Sequence, residues 1–239
     1  MIQASTTRNP ADGAQPDARP PAKSLLAREG MSFVLNRAKA SFGPVVPLGV
    51  IGDGRHVMVM PGFMASDRTT ARLRRSLIAG GFACHAWELG RNMGIKADIF
   101  ARMDARFDRI DPMHKVSLIG WSLGGLIARE YAKHAPHRID KVITLGSPFS
   151  GDRRANNAWR TYEFIAGYNI DEPPISVDLS VKPPMPTYAF WSATDGVVAP
   201  ASARGQHDEA DMRIEMACTH MAFVAHPLCI QQIARSLLE

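Results

Sequence analysis

From His56 onward, short apolar runs alternate with longer stretches whose apolar residues recur at helical spacing. The runs HVMVM (56–60), FACHAWEL (82–89), KVSLIGW (115–121) and KVITL (141–145), with residues 186–192 and 213–218, read as six strands. Between them, Asp67 can cap a helix that runs to Ala79 and ends at Gly80-Gly81. Ile99, Phe100, Met103, Phe107 and Ile110 mark a second helix, stopped by Asp111-Pro112. Leu123–His134 and His226–Leu238 are two more. Strands alternating with helices of this length predict an α/β class domain: a mostly parallel sheet of about six core strands, helices on both faces, right-handed crossovers.

Two stretches depart from that alternation. Residues 1–22 are rich in Ala, Pro, Asp and Gln, bury too little to offset ordering, and read as a disordered tail before a single domain over 23–239. Within Lys23–Ala40 the apolar residues suggest one or two helical turns interrupted at Gly30. Residues 150–185 form a long insertion containing Trp159, Tyr162, Phe164 and Tyr168, then two Pro-Pro pairs. Its aromatic content points to a lid or pocket wall; a plain crossover helix is the other reading.

Composition adds bounds. A length of 239 residues suits one large domain. The formal charge of +5 comes from scattered Lys and Arg without interleaved aromatics, which argues against a nucleic-acid partner. No apolar run reaches transmembrane length, and the first 23 residues have no continuous apolar core of the secretory kind. Cys84, Cys218 and Cys229 lack CxxC spacing, and Cys84 and Cys218 fall in strand-like runs, as buried free thiols in a reducing compartment do. A cytoplasmic protein with no metal or organic cofactor is the expectation.

The chemistry begins at Gly120-Trp121-Ser122-Leu123-Gly124, a GxSxG string between an apolar strand and a helix. A serine on so sharp a turn is pushed towards positive φ, and small flanking residues let strand and helix approach. The helix N-terminus directs free N–H groups towards a developing oxyanion. The Leu123 N–H is one candidate donor, and the Phe63 N–H in Pro61-Gly62-Phe63-Met64 is the other. In the architecture that such a strand-to-helix elbow signals, the expected chain order is Ser, then Asp or Glu, then His. His134 and His137 lie at the far end of the nucleophile's own helix, and His207 lies in a polar loop. His220, at the carboxyl end of a strand, is the candidate, with His226 in reserve. Asp195, after the strand TYAFWSATD, is the candidate orienting acid, with Asp152 and Asp178 as alternatives.

These segments, with VITLGSPFSGD and THMAFVAHP, resemble the α/β-hydrolase superfamily in its bacterial lipase- and esterase-like members, from about Leu48 to the C-terminus. The resemblance implies a minimal α/β-hydrolase fold and acyl-enzyme chemistry at Ser122, Asp195 and His220, with Phe63 and Leu123 as the oxyanion hole. Many relatives have His-Gly where this chain has Pro61-Gly62, so any role of that histidine is absent. The reading is a carboxylic ester hydrolase acting on a small-molecule or lipid-like ester, with Met64, Trp121 and Trp159 as substrate-binding residues. An acyltransferase with the same triad and a non-catalytic binding protein on this scaffold are the rivals.

Overall fold

The computed structural model describes residues 19–110, 113–175 and 178–239. The tail assigned to 1–22 thus falls mostly outside the described residues, as does the Asp111-Pro112 stop. Six strands form one sheet: β1 (His56–Met60), β2 (Ala83–Ala86), β3 (Val116–Trp121), β4 (Ile139–Leu145), β5 (Thr187–Trp191) and β6 (Met212–Glu215). Every pairing is parallel and the order is β2-β1-β3-β4-β5-β6.

Strand periodicity sorts the core into two layers. Val57, Val59, Ile119, Ile143, Leu145 and Phe190 face one side. There they meet Leu73 and Leu77 of α2 (Ala71–Ala79) and Ile230 and Ile233 of α7 (Pro227–Ser236). Met58, Met60, Leu118 and Val142 face the other side. Their partners are Ile99, Met103 and Phe107 of α3 (Ile99–Phe107) and Ile127 and Tyr131 of α4 (Leu123–His134). Both faces of β1 and β3 are sealed, which is why these runs are almost wholly apolar rather than alternating.

The chain leaves β1 to one side for β2 and returns on the other for β3, so the topology reverses between β1 and β3. In parallel sheets the crevice beyond the strand ends at such a reversal is where ligands bind. The loop after β1 and the turn after β3 both open there.

Three local expectations are corrected. The segment from Lys23 is one continuous 20-residue helix, α1 (Lys23–Phe42), which Gly30 does not interrupt. Asp67 does not cap α2: Thr70 occupies that position, and the Asp67 carboxylate instead accepts the backbone N–H groups of Trp87 and Glu88, each at 3.1 Å. Cys218 lies beyond β6 rather than within a strand, although all three cysteines are free thiols. Two shorter helices, α5 (Trp159–Ala166) and α6 (Pro200–Arg204), complete the described elements together with two 3₁₀ turns, one of them over His220–Ala222.

Candidate active site

β3 delivers the chain to Ser122, which stands at φ 54°, ψ −122°, before α4 begins at Leu123. Few non-glycine residues tolerate this region, at a strain of about 1–3 kcal/mol. Surrounding contacts hold it: Ser122 N–H donates to Leu145 O at 2.8 Å, and Gly125 N–H donates to Ser122 O at 2.9 Å. A Cβ on Gly120 would lie 2.3 Å from Gly125 Cα, and one on Gly124 only 2.5 Å from Met60 O, so only glycine lets α4 press against β3 and the end of β1.

The loop after β5 carries Asp195, and the 3₁₀ turn beyond β6 carries His220, both buried. Asp195 Oδ2 and His220 Nδ1 are 2.7 Å apart. Asp195 Oδ1 accepts the N–H groups of Val197 at 2.8 Å and Val198 at 2.9 Å, which fixes the carboxylate plane. With the ionised carboxylate on Nδ1, that nitrogen carries the proton and Nε2 presents its lone pair. Burial opposes a charged ring, but the carboxylates of Asp195 and then Glu29 outweigh it and hold the His220 pKa above the ordinary histidine value.

Gly146 links this pair to the serine. It follows Leu145, the acceptor for Ser122 N–H, and sits at φ 55°. A Cβ there would lie 3.0 Å from Asp195 Oδ2 and 3.1 Å from His220 Nδ1. Ser122, Asp195 and His220 thus all lie beyond the carboxyl ends of parallel strands, at one edge of the sheet. The Ser122 hydroxyl is not itself hydrogen-bonded to the imidazole among the described residues. Catalytic contacts of this kind commonly tighten only when substrate is bound.

The alternatives are not brought to the ring. Asp152 is exposed and accepts the Arg154 N–H, and Asp178 is exposed and accepts from Ser180. His226 is exposed at the start of α7, its pKa lowered by partial burial and then by Lys39 and Arg72.

The backbone N–H groups of Phe63 and Leu123 have no acceptor among the described residues, and both residues border the same pocket as Ser122. Asn92, which the motif pattern did not single out, pins the Phe63 loop. Its side chain donates to Pro61 O at 2.8 Å, its N–H to Ala65 O at 2.9 Å, and its carbonyl accepts Met64 N–H at 2.7 Å. A lone asparagine in a polar loop carries no local signal of this role.

Comparison with known proteins agrees with the topology. The family model described as alpha/beta hydrolase fold matches residues 60–167. The chain has the α/β-hydrolase fold. Over 73 residues it is 37% identical to the pimeloyl-[acyl-carrier protein] methyl ester esterase of Pectobacterium carotovorum subsp. carotovorum (strain PC1), covering 29% of this chain and 28% of that protein. It is 44% identical over 50 residues to the enzyme of the same name from Vibrio campbellii (strain ATCC BAA-1116), covering 21% and 19%. These matches span less than a third of the curated relatives' own length. Among solved structures, a metagenomic carboxyl esterase superposes with TM-score 0.58 at 14% identity, covering 82% of this chain and 79% of that one. A serine hydrolase involved in carbazole degradation superposes with TM-score 0.58 at 17% identity, covering 82% and 97%.

In this α/β-hydrolase-fold chain the 150–185 insertion borders the pocket. Trp159 and Tyr162 of α5, with Tyr168 beyond it, join Phe63, Ile95, Leu126 and Val198 around a cleft that opens to solvent. Ile95 N–H donates to both phenol oxygens, at 3.3 Å to Tyr162 and 3.1 Å to Tyr168, and the two hydroxyls bond each other. Burial raises the pKa of both phenols, so they stay neutral. Arg153 is the charged residue in the lining. Of the three residues assigned to substrate, Trp159 lines this cleft and the other two do not. Met64 lies exposed on the outer loop at φ 58°, and Phe164 of the insertion is also exposed. Trp121 is buried on the opposite face of the sheet edge, its Nε1–H donating to His220 O at 3.1 Å. Among the described residues no helix is long and apolar enough to cross a membrane.

Proposed function

We propose that this protein hydrolyses carboxylic esters through Ser122, with His220 as general base and Asp195 as the carboxylate that orients it. The observation that carries the reading is the buried Asp195–His220 hydrogen bond of 2.7 Å beside a serine held at positive φ on a strand-to-helix elbow. A structural serine has no need of that backbone conformation, and a structural histidine has no need of a buried carboxylate on Nδ1.

His220 Nε2 takes the Ser122 proton as Oγ bonds to the ester carbonyl carbon. The N–H groups of Phe63 and Leu123 receive the negative oxygen, assisted by the positive end of α4. The intermediate collapses by breaking the carbon–alkoxide bond, and the imidazolium protonates the departing alcohol. Water, deprotonated by His220, then attacks the acyl-serine and releases the acid and the free hydroxyl. Each proton taken by the ring is returned within the half-reaction, so no cofactor is consumed.

The cleft beside Ser122 is walled mostly by apolar side chains. Its Trp, Tyr, Phe, Leu, Ile and Val walls favour an apolar acyl chain longer than acetyl. The esterase names of the partial relatives support an ester over other acyl substrates. A series of p-nitrophenyl esters of increasing chain length tests this: turnover should rise beyond acetate. Because the base must be neutral and its pKa is raised, kcat/KM should climb with pH through a midpoint above the ordinary histidine value. Absence of hydrolysis at every length would reject the reading.

A further inference from the structure

We infer that Glu29 of the N-terminal helix is a positioning residue for the general base, a clamp that ties the acid loop and the base loop to one carboxylate. The inference rests on the ester-hydrolase reading. Glu29 is buried, 5% exposed, although it lies on a helix whose neighbouring residues are largely open to solvent. Its Oε1 accepts the His220 N–H at 2.6 Å and the Gly196 N–H at 3.1 Å, and its Oε2 accepts the Met221 N–H at 3.4 Å. One acceptor group thereby joins the residue after Asp195 to the residue that supplies the base. The N–H groups of His220 and Met221 open a 3₁₀ turn, where intrahelical partners are missing and a negative charge is favoured.

The rest of the helix face serves the same contact. Ser32 Oγ lies 2.7 Å from Thr219 Oγ1, and Asn36 Nδ2 donates to Ser32 Oγ at 2.6 Å. Glu29, Ser32 and Asn36 follow the three-to-four spacing of one helical stripe. Gly196 makes the approach possible, because a Cβ there would lie 2.4 Å from Leu25 O and 2.8 Å from Glu29 Cγ. Asn157 Nδ2 reinforces the seam by donating to Pro21 O at 3.0 Å and Gly196 O at 2.8 Å. A helix present only to cover apolar surface would not direct a buried carboxylate at three backbone donors of the two catalytic loops.

The charge on Glu29 also reaches the imidazole. Asp195 from the loop after β5 and Glu29 from α1 are the charged groups acting on the ring, while the nearby Cys218 thiol is kept neutral by its hydrogen bond with Cys229 and by burial. Removing the Glu29 charge therefore makes the imidazolium less favourable and moves the His220 midpoint to lower pH. That shift is a readout that loss of packing alone does not produce.

The test uses the full chain and needs no turnover. Labelling rates with a fluorophosphonate probe and an imidazole NMR titration of His220 are measured for the wild type, Glu29→Gln and Glu29→Ala, with circular dichroism to verify folding. Glu29→Gln, nearly isosteric, should label about tenfold more slowly through a misplaced base, and its His220 midpoint should fall. Glu29→Ala, where folded, should label more slowly still. A Glu29→Gln protein with the wild-type labelling rate and the wild-type midpoint overturns the clamp. A wild type that takes no label refutes the serine-hydrolase reading instead, and the titration then decides the Glu29 question by itself.

Discussion

Ser122→Ala is expected to reduce kcat/KM for the preferred ester about 10⁴- to 10⁶-fold while leaving the protein folded. The hydroxyl supplies the bond-forming oxygen, so no neighbouring group can take over its step. Alanine keeps the same strained backbone, φ 54°, and the lost hydroxyl is not bonded to the imidazole, so little stability is at stake. The expected change in unfolding free energy is within about 1 kcal/mol. A companion variant separates chemistry from fold. Ser122→Gly should be equally inactive yet more stable than Ser122→Ala by about 1 kcal/mol, because glycine adopts positive φ without strain. Kinetics on the p-nitrophenyl series, with denaturant unfolding of all three proteins, checks both statements. Activity in Ser122→Ala within tenfold of wild type would remove the serine from the mechanism.

Asp195→Asn is expected to lower kcat/KM about 10³- to 10⁴-fold with the fold intact. Oδ1 of residue 195 must still accept the N–H groups of Val197 and Val198, at 2.8 and 2.9 Å, so the new amide nitrogen takes the place of Oδ2. It then donates to His220 Nδ1, 2.7 Å away in the present structure. The imidazole is driven into the tautomer with its proton on Nε2, where the lone pair is needed. Loss of the carboxylate also removes the largest influence holding the ring pKa up, so the remaining activity should titrate with a lower midpoint. Full pH–rate profiles of wild type and variant check both effects. An unchanged midpoint would separate the carboxylate from the base.

How far this site could be read from sequence depends on which physical signals are local. β3, the elbow and α4 were legible because a fully buried strand is a mostly apolar run, VSLIGW, and its sharp exit demands small residues at 120 and 124. The Asp195 and His220 assignments followed from their places just after β5 and β6, since parallel strands end at one edge. α1 was misread because its docking stripe is polar: Glu29, Ser32 and Asn36 bind by hydrogen bonds, which leave no apolar periodicity. Gly30 costs the helix about 1 kcal/mol, less than those contacts recover. Asp67 and Asn92 were missed or misplaced because their partners, Trp87 and Pro61, lie 20 and 31 residues away. Trp121 lies outside the cleft lining because strand alternation turns it to the other face, beside His220.

The central claim is that Ser122 alone forms the covalent intermediate. Its most direct test is to treat the wild-type protein with a fluorophosphonate, digest it and locate the adduct by mass spectrometry. One phosphonyl group per chain, on the peptide containing Ser122 and absent from Ser122→Ala, is the predicted result. An adduct on any other residue, or an active ester hydrolase that takes no label, would contradict it.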